Sequence, residues 1–402
     1  MQSMTIQTDR SIKRADTLFA LESVFAEYHP ELLEEYGVFA KEGKDEEKIG
    51  RRLWFYGAKN MEHQIHRIQL LTDNEGESFY DQAIRSMGGE SFQVIEVAET
   101  TIQEENEKNE KELEKMLEEE KQELPTESNP IEAVNQLKKS SLLSLVLPNP
   151  EEISNQCITL EELPSHRELE KGTEEFVSYK TEGLERKLLF TSYLAENFSD
   201  YTNTEKKGSL FYENEYLLVG KENDQENLEA VAEKILFVRM ALNYGYLLTD
   251  SAKQAEVEAM ATTLATALNS PPMIVLIKQA ILFSWAYGES ILDLRTLYKG
   301  EEVPVVKTSE NWQMQLGNLV KLGTADEVKE EKASGEGMCY GDYIKAFLQL
   351  EEKEVLSMRA LDLIETKVGV RVDECVTALE IRSTLETQVG IKDTFLTEFY
   401  YQ

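Results

Sequence analysis

The sequence predicts an α+β fold that is mainly helical, with a small antiparallel sheet and an extended N-terminal helix. Three observations carry that expectation. About Thr5 to Ala26 is amphipathic, with Leu18, Leu21, Phe25 and Tyr28 recurring at spacings of three, four and three, one stripe of a helix. A strongly helical block lies between Asp224 and Lys299. The C-terminal stretch alternates in two runs either side of Val389-Gly390, the pattern of an antiparallel pair. Helices outweigh strands, and the strands find local partners rather than regular βαβ units, which favours α+β over α/β.

The first helix ends near His29-Pro30, because the residue before a proline resists helical backbone. Pro30 then starts a short helix, ELLEEY, that stops at Gly37. Asp45 is an N-cap for a third helix over roughly 46–71, with Trp54, Ala58, Met61, Ile65 and Ile68 on one face. The loop DNEGE leads to a shorter helix ending at Gly88-Gly89, and SFQVIEV (91–97) reads as a strand. Residues 99–124 hold eleven Glu and four Lys with five apolar positions, a solvated helix or disordered insert. Ile131–Lys138 is a short helix, LLSLVLP (142–148) a buried strand, and 149–172 loop-rich, with the turn LPSHREL. A helix around 181–197 precedes a hairpin-like SLFYENEYLLVGK, in which Leu217, Leu218 and Val219 form a strand. The helical block then splits at Asp250-Ser251 and Ser270-Pro271-Pro272 into 224–248, 252–269 and 272–298. EVPVVK (302–307) is a short strand or extended segment, 322–341 is a polar, mobile loop, and Tyr343–Lys367 is one amphipathic helix. In the final pair Leu379, Ile381 and Leu385 share one face, Phe395 and Phe399 another.

Composition narrows the partners. With 76 acidic residues against 42 basic ones, the 402-residue chain carries a formal charge of −34, which repels nucleic acid and anionic membrane surfaces. No stretch of about 18 apolar residues is present; the nearest approach, MIVLIKQAILFSWAY (273–287), reads as a buried helix. The first 15 residues lack the apolar core of a secretory signal. Cys157, Cys339 and Cys375 are scattered and odd in number, with no CxxC, so neither a zinc knuckle nor a disulfide framework is indicated.

Two constellations could carry chemistry. His63 and His66, three apart on the expected third helix, could share a metal, but no HExxH or cysteine partner accompanies them, and His29 and His166 lie elsewhere. Glu289 and Asp293 share a helix face one turn apart, with Arg295 following, while Arg239 sits within the apolar ILFVRMALNYGYLL. An acid pair can do acid–base work if burial separates its pKa values. The simpler expectation is that Arg239 enters the core paired with one of these carboxylates. The glycines of GEGMCYG (335–341) lack nucleotide-binding spacing, GxSxG is absent, and DNEGE is too short for an EF-hand loop. No residue is assigned as catalytic, cofactor-binding or metal-ligating, and no cofactor is expected.

Several segments carry a resemblance: ALESVFAEYHPELLEEYGVFA (20–40), SLLSLVLPNPEEIS (141–154), YENEYLLVGKENDQENLEAV (212–231), VRMALNYGYLLTD (238–250), WAYGESILDLRTLYKGEEVPVVKT (285–308) and LSMRALDLIE (356–365). In this order they resemble an uncharacterised family of large single-pass surface proteins from Gram-positive bacteria. Its members occur in loci for Tad-type, type IV-like pilus or secretion machinery, alongside TadE/TadG-like proteins. The resemblance implies a hydrophobic anchor helix upstream of the segment matching Gln7–Ala26, absent from this sequence. It implies no catalytic residues; Glu289, Asp293 and Arg295 match a recurrent motif without a known catalytic role. The organisation expected is a helical region over 1–97 following the missing anchor, an acidic insert over 98–137, and an α+β body over 138–402. The implied function is a non-enzymatic, tethered protein on the extracellular face of the cell envelope. Its partners would be other pilus or secretion subunits or cell-surface components, with membrane contact only through the anchor. The alternatives are a cell-envelope enzyme with an acidic site near Glu289 and Asp293, and a cytosolic interaction protein.

Overall fold

The computed structural model describes residues 2–88, 129–173, 176, 183–204, 208–324, 337–386 and 392–401. The fold is α+β and mainly helical, with one four-stranded antiparallel sheet. The strand expected at 91–97, the acidic segment 99–124, residues 325–336 of the expected mobile loop and the Val389-Gly390 turn lie outside the described residues.

Helix α1 (Gln2–Phe25) buries Ala20, Leu21, Val24 and Phe25. Pro30 opens α2 (Pro30–Tyr36), which closes on Gly37 in the left-handed region at φ 65°. A two-residue strand β1 (Lys41–Glu42) leads to α3 (Glu46–Phe55), whose Lys48 N–H donates to the Asp45 side chain at 3.0 Å.

The third helix is shorter than expected. It ends at Phe55, and residues 62–70 form strand β2 (Glu62–Leu70). Gly57 at φ 112° and Asn60 at φ 61° turn the chain out of helical backbone. Pairing with β3 (Cys375–Glu386) then decides the conformation of the Ile65–Ile68 stretch. Helix α4 (Asp73–Ser86) begins with the DNEGE loop folded as a left-handed turn, Asn74, Glu75 and Gly76 all having positive φ.

After α5 (Pro130–Leu137), LLSLVLP is a helix, α6 (Leu142–Val146), and not a strand. A short apolar run has no periodicity to separate the two, and its neighbours here are helices. The same correction applies to Leu217–Val219. Beyond α7 (Leu184–Asn197), they close helix α8 (Glu213–Val219) rather than form a hairpin strand. Gly220, at φ 74°, terminates α8, and a Cβ there would overlap the Arg359 guanidinium, which donates to Leu217 O at 2.7 Å.

Helices α9 (Asp224–Thr249), α10 (Ser251–Ala267) and α11 (Ile274–Tyr298) follow the expected split. The stretch 302–307 is extended, touching Met338 through a single bridge at Val303. The expected helix over 343–367 is two helices, α12 (Tyr340–Leu350) and α13 (Lys353–Val368), broken at the extended residues Glu351 and Glu352.

β3 is the centre of the sheet. It pairs antiparallel with β2 and with β4 (Lys392–Tyr400), Ile381 standing opposite Ile65 and Thr397 and Leu379 opposite Ile68 and Phe399. One hydrophobic cluster joins α1 and α3 to a sheet face through Leu21, Phe25, Leu53, Ile68, Leu379 and Ile381. Phe25 stacks on Phe399 at 4.4 Å, and Tyr401 OH donates to Phe25 O at 2.5 Å. A second, larger cluster runs through the remaining helices, with α11 buried along most of its length. Among the described residues no helix is long and apolar enough to cross a membrane.

Candidate functional site

The acidic pair singled out from sequence lies in the core. Glu289 and Asp293 of α11, Arg239 of α9 and Lys307 are all fully or almost fully buried. Arg239 Nε donates to Asp293 Oδ2 at 2.9 Å, and its Nη1 donates to Pro304 O at 3.0 Å. Lys307 Nζ bridges Glu289 Oε1 at 2.6 Å and Asp293 Oδ1 at 2.7 Å. Glu289 also accepts from the N–H groups of Gln313 at 3.1 Å and Met314 at 2.6 Å. Asn243 Nδ2 donates to Asp293 Oδ2 at 2.8 Å and to Ser290 Oγ at 3.0 Å.

Two cations and two anions thus neutralise one another. Burial pushes the Glu289 carboxyl up, and the Lys307 ammonium pulls it back toward its ionised form. The arrangement binds α9, α11 and the 302–314 segment into one body; every charge has an opposite charge in contact. Arg239 enters the core paired with a carboxylate, as its apolar surroundings require. Lys307 was missed, because the extended EVPVVK run gives no period that would place its last residue inside. Arg295 stands apart from the cluster, donating from Nε to Leu145 O at 2.7 Å.

The two histidines are on strand β2 rather than on a helix. His63 Nδ1 lies 2.9 Å from Ser383 Oγ and Nε2 3.1 Å from Ala58 O, the set of the neutral Nε2–H tautomer; burial holds its pKa down. His66, at a register shift in the ladder, faces Arg382 and Glu380 instead. Among the described residues no group of three or more His, Cys, Asp or Glu has metal-binding geometry. The three cysteines are free, and burial pushes the Cys375 thiol up to about 12.

A separate cleft of about 860 Å³ lies elsewhere. Its walls are the β2–α4 turn (residues 69–75), the segment 164–173 and the first turns of α13. The middle segment is a strap tied down by side chains. Ser165 donates to buried Asp362 from both N and Oγ, at 2.8 and 2.5 Å, and Tyr216 OH adds a third bond at 2.8 Å. Arg167 donates to Glu365 at 2.5 Å and to Asp373 at 2.7 Å; Glu170 N reaches Asp373 at 3.2 Å and Gly172 N reaches Asp73 at 3.0 Å. At Gly172 a Cβ would overlap Asp73 Oδ2 and Ile68 O. Burial raises the Asp362 pKa; at Asp373, Arg371, the Glu170 N–H and Arg167 outweigh burial and hold the carboxyl at about 2.

His166 Nδ1 lies 2.8 Å from Ser165 Oγ at the cleft mouth, yet the serine proton is directed at Asp362, not at the imidazole. A serine nucleophile needs the histidine as its proton acceptor, so this trio positions the strap. Arg359, Lys171, Glu352 and Glu354 stand on its walls beside Leu169, Val355 and Met358.

The first turn of α8 is a further site that sequence reading passed over. Glu213, Asn214 and Glu215 are all buried, where the expected hairpin would have exposed alternate residues. Glu213 accepts from Ser199 N and Oγ at 3.1 and 3.0 Å; Glu215 accepts from Tyr201 N at 2.9 Å and Tyr340 OH at 2.6 Å. Burial pushes Glu213 up to about 7 and Glu215 up to about 8.

No curated protein matches the chain. No solved structure matches it either. Residues 119–387, from the acidic segment to the end of β3 and including the buried charge cluster and the strap, match one family, and the chain belongs to this family of unknown function (DUF5702).

Proposed function

We propose that this chain is the non-enzymatic, extracellular portion of a membrane-anchored protein, a structural and interaction subunit associated with a Tad-like, type IV-like pilus or secretion apparatus. The observation that carries the non-enzymatic part is the buried quartet Arg239, Asp293, Lys307 and Glu289. Each carboxylate is fully buried with a cation in contact, and general acid–base work needs a group within reach of the proton it moves on a substrate. The apparatus and the anchor are supported by the resemblance of the segments at 20–40, 141–154, 212–231, 238–250, 285–308 and 356–365.

Chemical cross-linking in the native envelope, followed by capture of the tagged protein, tests this reading. Recovery of pilus or secretion subunits is the expected result. Recovery of cytosolic proteins alone, or a full-length reading frame without an apolar segment upstream of residue 1, overturns it.

A further inference from the structure

The α1–α3 layer covers one face of the sheet and leaves its own outer face bare. Trp54 is 58% exposed, Phe55 65% and Phe19 65%, and Ile12 and Leu18 are also exposed. Scattered exposed apolar residues are ordinary, but a tryptophan and two phenylalanines on two packed helices are not. The two helices run antiparallel: Arg52 and Tyr56 meet Glu27, while Lys59 O accepts from Lys13 Nζ at 3.4 Å.

The charge of this layer is opposite to that of the chain. Helix α1 carries three acidic and three basic residues and Asp45–Met61, from the α3 cap to the next strand, three acidic and four basic, a net of +1 in a protein of −34. Lys48, Arg51, Arg52 and Lys59 are exposed around the aromatic pair, and Lys59 Nζ lies 4.9 Å from the centre of the Trp54 ring.

We propose that the outer face of the α1–α3 layer is a membrane-contact surface that seats Trp54 and Phe55 in the headgroup region of an anionic phospholipid bilayer. Aromatic side chains beside lysine and arginine are the residues that settle at that boundary, the rings among the upper acyl chains and the cations on lipid phosphates. The net charge of the chain does not forbid this. At physiological salt, charges more than about 8 Å from the contact are screened, so the charges of the layer itself govern the approach. The proposal rests on the envelope placement above and adds a direct lipid contact to it.

Vesicle flotation of the 402-residue chain provides the test, using phosphatidylcholine with and without phosphatidylglycerol. Flotation only with the phosphatidylglycerol vesicles is expected, with a blue shift of tryptophan emission. The double variant Trp54→Ser/Phe55→Ser should lose about tenfold or more in partitioning. Lys48→Glu/Arg51→Glu should lose the preference for anionic lipid, with circular dichroism unchanged in both variants. Absence of flotation by the wild type, equal flotation of the variants, or a dimer that excludes vesicles and is dissolved by the Trp54→Ser/Phe55→Ser variant overturns the proposal. Those outcomes leave the cross-linking result in the envelope untouched, so the two readings fail separately.

Discussion

Lys307 holds two carboxylates at once, and its removal would leave Glu289 and Asp293 with Arg239 as their one cation. Lys307→Met should therefore destabilise the protein by roughly 3–5 kcal/mol, the cost of an uncompensated buried charge. Adding Glu289→Gln restores neutrality, and the double variant should be more stable than the sum of the single changes predicts, read from urea denaturation midpoints. A simple additive result would mean the quartet is not electrostatically coupled. Glu213 and Glu215 give a pH dependence of definite sign. Their folded pKa values, about 7 and about 8, lie above the ordinary 4.5, so the folded chain binds more protons than the unfolded one between those limits. The stability they contribute is fully present below about pH 4.5, declines as pH rises and is gone above about pH 8. Thermal melts between pH 5.5 and pH 8.5 should show the transition temperature falling with pH, and Glu215→Gln should flatten the slope. Asp373 acts in the opposite direction and only in strong acid, near its value of about 2.

At the scale of elements, legibility followed length and end signals. The long helices α9, α10 and α11 are continuous runs without an internal proline and are separated at Asp250-Ser251 and Ser270-Pro271-Pro272, so their bounds were readable. The segments LLSLVLP and Leu217–Val219 carry too few turns to declare a period, and the helices around them decide their form. Residues 62–70 failed for the complementary reason: their spacing fits a helix, but the ladder to β3 outweighs local preference. Of the candidate site, the Arg239–Asp293 pairing was readable because an arginine inside an apolar helix must find a carboxylate. The strap was not, since Ser165 and Asp362 are 197 residues apart and neither is unusual in its local context. Ser165→Ala should remove about 1–3 kcal/mol of local stability and leave Asp362 short of a donor. Hydrogen exchange should quicken across residues 165–172 while α11 stays protected. Uniform loss of protection through α11 would show that the strap is part of the global fold rather than a local clamp.

For the whole molecule, the sheet joins the two ends of the chain: β2 lies near the start and β3 and β4 near the finish, and α1 stacks on β4 through Phe25 and Phe399. The family match at 119–387 takes in β3 but neither of its long neighbours. A fragment of those residues should expose both edges of β3 together with Leu379 and Ile381, and should aggregate or bind a hydrophobic dye. The full chain should remain monodisperse in size-exclusion chromatography. A soluble, cooperatively melting fragment would show that the helical body stands without the N-terminal layer.

The pairing of Arg67 with Glu380 spans 313 residues. Chains are made from the N-terminus, so β2 emerges long before the strand it needs. During that interval Ile65, Ile68 and Leu70 face water or whatever shields them, and α1 and α3 have no sheet to rest on. Joining beginning to end closes a loop of 313 residues, and contacts of high sequence separation are the costly ones for a folding chain to make. Any path that exports this chain as a thread delivers the two partners to the far side at different times. The order of arrival, more than the strength of the finished ladder, sets how long the protein is vulnerable.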